Sequence, residues 1–342
     1  MKRISTMGID LAKNTFQLHA ADRKGGKVFN KKVKREKLLG EIEKFDKEDD
    51  FLIAMEACGG AHHVARALMA KGYDVKLIAP KFVKPFVKSN KNDAKDAEAI
   101  TEATRRPSMR FVGVKSVEQQ NIQAIHRIRA GFVKRKTAMA NEMRGLLLEY
   151  GITIPQGIHK LKKLIPAILS DVENGLTLDF RELLQELYSE WINCFEKVEH
   201  YDKKLSCIYN RNEDCKRLSK IDGVGLITAT ALVAAVGDPK AFKNGREFSA
   251  WLGLTPRQHS TGGKTTLLGI SKRGDSYLRK NLIHGCRAVI YRTEGKEDRR
   301  SRWIKGKLPS KGVNKVSVAL ANKTARAIWA VLARKEEYRR VA

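Results

Sequence analysis

What this chain lacks narrows its chemistry before any motif is read. It has only five cysteines among 342 residues. Cys58, Cys194, Cys207, Cys215 and Cys286 form no Cys-x-x-Cys pair, which argues against both a disulfide framework and a zinc knuckle. We read them as reduced and structural. Long hydrophobic runs are missing too. The longest, Leu226 to Val236, is about half of a spanning helix and includes two threonines, so it reads as a buried helix and not a membrane span. Residues Met1 to Gly8 contain charges and no secretory core, so the expected location is the cytoplasm. Acids are scarce: 38 Asp and Glu stand against 67 Lys and Arg, a formal net charge of +29.

That excess runs along the whole chain and points to a polyanionic partner, with nucleic acid the first expectation. Six to ten phosphate contacts would make affinity fall by roughly three to five decades between low and moderate salt, and such contacts carry no sequence information. Charge therefore explains adhesion and not the choice of target. The 42% of apolar residues is enough for two or three domain cores in a chain of this length.

The first part reads as α/β. Ile4 to Leu11, Thr15 to Ala21 and Lys27 to Lys34 have strand patterning, and Arg35 to Phe45 has helical spacing. A strand Phe51 to Ala57, a helix His62 to Ala70 and a strand Asp74 to Ile78 follow, so a mixed sheet with helices on its faces is expected. Asp93 to Arg105 is helical and stops before Pro107. Ser116 to about Tyr150 and Phe180 to Arg217 predict two long helices, the second with Leu183, Leu187, Trp191, Cys194 and Val198 on one stripe; they suit either an antiparallel hairpin or a dimerising coiled coil. Gly151 to Asp179, rich in turn formers, reads as linker or insertion. From Leu218 onward the pattern is helical except for a loop, Thr255 to Gly269. A helix from about Tyr277 to Tyr291 and a basic helix or two over Asn314 to Arg340 follow. The expected domains are 1–110, 111–217 and 218–342.

Four acids fall where carboxylates need a reason. Asp10 lies in the strand Met7-Gly8-Ile9-Asp10-Leu11, and Glu56 ends the strand Phe51-Leu52-Ile53-Ala54-Met55-Glu56. A carboxylate among such neighbours needs a cation or a donor. Asp93 and Asp96 stand three apart at a helix start and so share a face. Each alone also fits a strand end or a helix-dipole charge. Together they suit Mg²⁺, a hard cation that takes oxygen ligands and keeps positions open for phosphate, as in nuclease-type phosphoryl transfer.

The Gly8-Ile9-Asp10 strand, Met55-Glu56-Ala57 and Asn92-Asp93-Ala94-Lys95-Asp96-Ala97 resemble the DEDD transposases of the IS110 family. The second half resembles the same family over Ile221 to Leu278. There the chain reads Ile221-Asp222-Gly223-Val224-Gly225, Phe248-Ser249-Ala250-Trp251-Leu252-Gly253-Leu254-Thr255-Pro256, Ser260-Thr261-Gly262-Gly263-Lys264 and Ile270-Ser271-Lys272-Arg273-Gly274-Asp275. Gln258-His259-Ser260-Thr261-Gly262-Gly263 is similar to its IS1111-like branch.

The resemblance implies an RNase H-like (RuvC-like) first domain with Asp10, Glu56, Asp93 and Asp96 as metal ligands, a long helical segment, and a mainly α C-terminal transposase domain. It implies a serine nucleophile that forms a covalent phosphoserine with DNA. Counting back from Ser271 selects Ser260, while counting from Pro256 selects Thr261; Ser260 is the choice. It further implies a structured bridge RNA pairing with donor and target DNA, and a homodimer or homotetramer in which acidic and serine domains from different subunits build one composite site. No zinc finger, basic zipper or recognition helix offers an alternative address for base readout.

Around the serine, glycines let backbone approach phosphate, and Arg257, Lys264, Lys272, Arg273 and Arg279 are the candidate phosphate clamps. His259 is either a general base or a nucleic-acid contact. Gly223 and Gly225 resemble the turn of a helix-hairpin-helix that grips backbone phosphate, or form a plain helix–helix turn. The basic stretches Lys31 to Lys37 and Lys81 to Lys95 read as solvated faces or as approaches for nucleic acid, the second favoured as an approach by its acids. Two rival functions stay open: a junction-resolving or other metal nuclease using the four acids to activate water, and a nonenzymatic nucleic-acid-binding protein.

Overall fold

The computed structural model describes residues 3–45, 50–87 and 92–339, so the expected basic stretch Lys81 to Lys95 and the final helix to Arg340 fall partly outside the described residues. The chain divides into two compact units, Met1–Val117 and Glu118–Ala342.

The first unit is a mixed sheet with helices on both faces. Its strands are β1 (Thr6–Leu11), β2 (Thr15–Ala21), β3 (Lys27–Lys34), β4 (Leu52–Glu56), β5 (Asp74–Ile78) and β6 (Phe111–Val112). They lie in the order β3-β2-β1-β4-β5-β6. β1, β2 and β3 are antiparallel neighbours, β1, β4 and β5 run parallel, and β6 closes the far edge antiparallel. The parallel strands are buried on both faces, which explains their near-continuous apolar runs. The lysines of β3 stand at the opposite edge, where charge discourages pairing with another chain.

Helices α1 (Leu38–Ile42) and α2 (Ala61–Ala70) cover the face carrying Met7, Ile9, Ile53 and Met55. The short α3 (Pro80–Val83) and α4 (Asp93–Thr104) pack on the other face, against Ala54 and Ile78. The expected mixed sheet, with its strands and helices in the expected succession along the chain, is therefore present. The two-residue strand β6 was not anticipated, because a segment that short has no period to read.

In the second unit α5 (Val117–Leu148) runs antiparallel to α7 (Leu178–Arg211). Trp191 Nε1 donates to Lys136 O at 2.9 Å, Phe132 stacks on Tyr201, and Arg129 grips Asp202 with two nitrogens, at 2.5 and 3.2 Å. The antiparallel pairing is thus made within one chain. The buried residues of α7 are Phe180, Leu184, Trp191, Cys194 and Leu205. Leu183, expected on that stripe, is 62% exposed. The segment read as linker contains α6 (Ile158–Ser170), whose Leu161 and Ile165 pack against Met143, Leu147 and Trp191. The long second helix expected to Arg217 ends at Arg211, because Asn212 leaves helical angles and accepts from Cys215 N (3.0 Å) to start α8 (Glu213–Ser219).

The chain continues through α9 (Leu226–Val236), α10 (Gly245–Trp251), strands β7 (Pro256–Thr261) and β8 (Lys264–Ile270), α11 (Ser276–Ile290) and α12 (Arg299–Arg334). α12 is interrupted at Gly312 (φ +70°), so the basic helix expected from Asn314 is its second half and a first half was missed. The core joins Phe248, Leu252, Leu278, Leu282, Leu320 and Ile328. Among the described residues no helix is long and apolar enough to cross a membrane.

Candidate active site

The acid centre begins with a glycine. A Cβ on Gly8 would overlap Thr101 Oγ1 and come within 2.5 Å of Ala97 O, so α4 crosses β1 at a distance that only glycine permits. Strand alternation then puts Asp10, two residues on, on the same face of the sheet as Gly8 and hence as α4. Thr101 Oγ1 also meets His19 Nδ1 at 3.0 Å, tying α4 to β2. At the helix start Asn92 accepts from Ala94 N (3.0 Å) and Asn30 Nδ2 donates to Ala94 O (3.1 Å), fixing the first turn that carries Asp93 and Asp96.

One oxygen from each of Asp10, Asp93 and Asp96 lies within 4.8 Å of the other two, with Asp10 and Asp96 half-buried and Asp93 exposed. Glu56 is not part of that trio. It follows the pair Ile9↔Met55 in the parallel register and so stands beside Asp10 on the neighbouring strand. Burial, then the Glu56 and Asp10 carboxylates, push the Cys58 thiol above its ordinary value, so both acids act on one small volume. At this separation two like charges repel by about 3–4 kcal/mol at an effective dielectric of 20. Hard oxygens held together in this way are a fitting donor set for a divalent cation.

The segment expected as a loop is a two-stranded hairpin instead. Thr261 pairs with Lys264 and Ser260 with Thr265, and the two residues between the strands, Gly262 (φ +56°) and Gly263 (φ +77°), adopt the left-handed angles of a tight hairpin turn. The strand character was hidden because β7 and β8 are exposed nearly throughout and show no polar–apolar alternation. Ser260 Oγ accepts from Gln258 Nε2 at 2.6 Å and lies 3.5 Å from Thr265 Oγ1. His259 and Thr261 cannot share that face, because neighbours on a strand point to opposite sides. The two candidate hydroxyls thus face opposite ways. Gln258 was not singled out from sequence; its place two residues before the serine on a strand is the signal that would have found it.

The base of the hairpin is fixed by Ser271 N donating to Thr255 O (2.8 Å) and Lys272 N to Gly253 O (3.1 Å). Arg257, Lys264, Lys272 and Arg273 are exposed around it. Arg279 is held differently: its guanidinium donates to Leu252 O (3.2 Å) and Gly274 O (3.0 Å), tying α11 to the hairpin's root. Gly223 (φ +86°) abuts Gly285 of α11 so tightly that a Cβ on Gly285 would overlap Gly223 O. Gly225 is exposed and caps α9, at a cleft of about 430 Å³ also lined by Arg292, Lys296 and Arg300.

Residues 7–152 match the sequence profile described as a DEDD transposase of IS110 type, and residues 215–302 match the one described as "Transposase IS116/IS110/IS902 family". The chain is 46% identical over 339 residues to the "Transposase for insertion sequence element IS1111A" of Coxiella burnetii, covering 99% of this chain and 92% of that one. It is 46% identical to a "Probable family 20 transposase" of Pseudomonas aeruginosa, over 98% of this chain and 99% of that one. Identity to the "Transposase for insertion sequence element IS1328" of Yersinia enterocolitica is 41%, over 97% of each chain. An α/β unit presenting clustered acids, joined to a helical unit and related end to end to such proteins, is a DNA transposase. It belongs to the IS110/IS116 family of DEDD transposases.

Proposed function

We propose that this transposase cuts and rejoins DNA through a covalent link to Ser260, assisted by an RNase H-like, RuvC-like domain in which Asp10, Glu56, Asp93 and Asp96 hold Mg²⁺. The observation that carries the reading is the convergence of Asp10, Asp93 and Asp96 oxygens within 4.8 Å, from a strand and a helix start. Bound there, Mg²⁺ supplies positive charge for phosphate oxygens and lowers the cost of ionising an attacking hydroxyl. Ser260 Oγ forms a bond to phosphorus as the bond from phosphorus to the leaving deoxyribose oxygen breaks. The serine proton passes to a base or to solvent, and the leaving oxygen ends protonated. Attack by a second strand's hydroxyl on the phosphoserine reverses these bonds and rejoins DNA.

Gln258 keeps one lone pair of Ser260 occupied and so orients the others. Arg257, Lys264, Lys272 and Arg273 neutralise charge on the phosphate, and Arg279 positions the hairpin that presents the serine. Gly223 and Gly225 turn the chain so that amides at the start of α9 meet backbone phosphate. A bridge RNA chooses donor and target, the working form is a homodimer or homotetramer, and the enzyme acts in the cytoplasm. Metal-dependent cleavage of element-end DNA tests the acid centre: wild type cuts with Mg²⁺, and Asp10→Asn or Asp96→Asn does not. Cutting by Asp10→Asn at the wild-type rate contradicts it.

A further inference from the structure

A cleft of about 370 Å³ lies between the start of α10 and the second half of α12, with no residue of the serine hairpin in its lining. It exists because Gly245 is buried against α12: a Cβ there would come within 3.0 Å of Arg326 Cα. Arg246, Arg326 and Trp329 form its walls. Neither arginine has an acidic partner among the described residues, and Arg326 Nε is buried without a hydrogen-bond acceptor. The neighbourhood is positive beyond these two, since burial and then Arg326 and Arg299 push the Lys323 ammonium below its ordinary value. Trp329 donates its indole N–H to Pro239 O (3.1 Å), which fixes the ring in place without using its π-face.

We propose that this cleft holds one unstacked nucleotide of a single strand, its phosphate between Arg246 and Arg326 and its base against Trp329. The chemistry selects that class. Two guanidiniums without acids call for an anion that accepts several hydrogen bonds. An aromatic beside them binds the face of a base, which a duplex keeps stacked and hidden. The volume lies at the small end of the roughly 300–1,000 Å³ of ligand pockets, room for a nucleotide and not for a helix. No other residue given a role above lines this cleft, so the site stands independently of whether Ser260 is the nucleophile.

Binding of the full-length protein to unstructured single-stranded DNA, single-stranded RNA and duplex DNA, across salt concentrations, tests the proposal without requiring strand cleavage. For the strand that occupies the cleft, the Arg246→Gln, Arg326→Gln double variant reduces the slope of log affinity against log salt by about 0.7, the contribution of one phosphate, and each single variant reduces it by part of that. Trp329→Leu weakens the same strand about tenfold or more while leaving duplex binding unchanged. Whichever single strand responds, DNA or RNA, is the occupant. Because Trp329 also packs on the core, the exposed Arg246 decides if Trp329→Leu does not fold. Unchanged affinity and slope for both single strands in the Arg246→Gln, Arg326→Gln double variant, or an equal loss on duplex DNA, overturns the proposal.

Discussion

Gly8 on β1 and Thr101 on α4 are in contact across a gap that admits no side chain at position 8, and this contact sets where the clustered acids Asp10, Asp93 and Asp96 stand. The β1 strand carries Asp10 and α4 carries Asp93 and Asp96, so any separation of the two elements separates the carboxylates. Gly8→Ala is expected to destabilise the protein by about 1–3 kcal/mol, as overpacking does, and to reduce DNA cleavage further than the lost stability explains. Thermal melts and cleavage rates at a temperature where the variant is fully folded check this. Thr101→Ala does not restore activity to Gly8→Ala, because Ala97 O still blocks the added methyl.

Removing one carboxylate charge separates the chemistry from the fold. Asp93→Asn is expected to lower metal-dependent cleavage roughly 100-fold or more. DNA affinity should persist, since it comes from the basic surface. Without divalent metal the variant should be at least as stable as wild type, because a like-charge repulsion is relieved. Cleavage, gel-shift and melting data taken together test the three parts.

Gln258 and Ser260 share one face of the exposed hairpin, and loss of their hydrogen bond should appear in rate and not in binding. Gln258→Ala is expected to slow cleavage about fivefold, the equivalent of roughly 1 kcal/mol, with unchanged affinity for element-end DNA. Gln258→Asn should recover less than full activity, since the shorter side chain reaches less far. A fall in DNA affinity that accounts for the whole rate loss would assign Gln258 to binding instead.

A buried histidine makes stability depend on pH. His126 Nδ1 meets Tyr277 Oη at 3.1 Å and Nε2 meets Thr230 Oγ1 at 3.1 Å. Thr230 Oγ1 is also 2.8 Å from Leu226 O, so it donates there and accepts from a neutral His126 protonated on Nε2. Burial, then Arg129, lowers the His126 pKa to about 4. Burial, then Lys115 and Arg66, lowers His62 to about 4 as well. These folded values lie below the ordinary 6.5, so the unfolded chain takes up more protons between the two. Stability from the neutral histidines is complete above about 6.5 and is lost as pH falls toward about 4. The maximum slope is about 1 kcal/mol per pH unit for the well-buried His126. Denaturant melts from pH 7 to 4 should show this decline, and His126→Asn should flatten it, leaving the smaller contribution of His62.

The acidic half was readable from sequence because its signals are local. Apolar runs on β1, β4 and β5 mark buried parallel strands, and Asp10, Glu56, Asp93 and Asp96 break those runs or open a helix. The closeness of Asp10 to Asp93 and Asp96 depends on Gly8 meeting Thr101, a contact between residues far apart in the chain that no spacing rule contains. The serine segment was recognised by motif while its conformation was not, since a hairpin exposed on both faces leaves no hydrophobic period. Leu183 in place of Leu184 is an error of one residue, within the width of a helical stripe when two leucines adjoin. The cleft of Arg246, Arg326 and Trp329 was illegible for a simpler reason: its walls come from segments about eighty residues apart.

Covalent trapping of the nucleophile tests the central claim most directly. Purified full-length protein is incubated with Mg²⁺, its element-end DNA and the flanking transcript, resolved on a denaturing gel, and any DNA-linked peptide is identified by mass spectrometry. A link at Ser260, absent in Ser260→Ala and in Asp10→Asn and retained in Thr261→Val, is the predicted result. A link at Thr261 would move the nucleophile to the other face of the hairpin, and metal-dependent cutting with no protein–DNA link would contradict the serine mechanism and leave a hydrolytic nuclease.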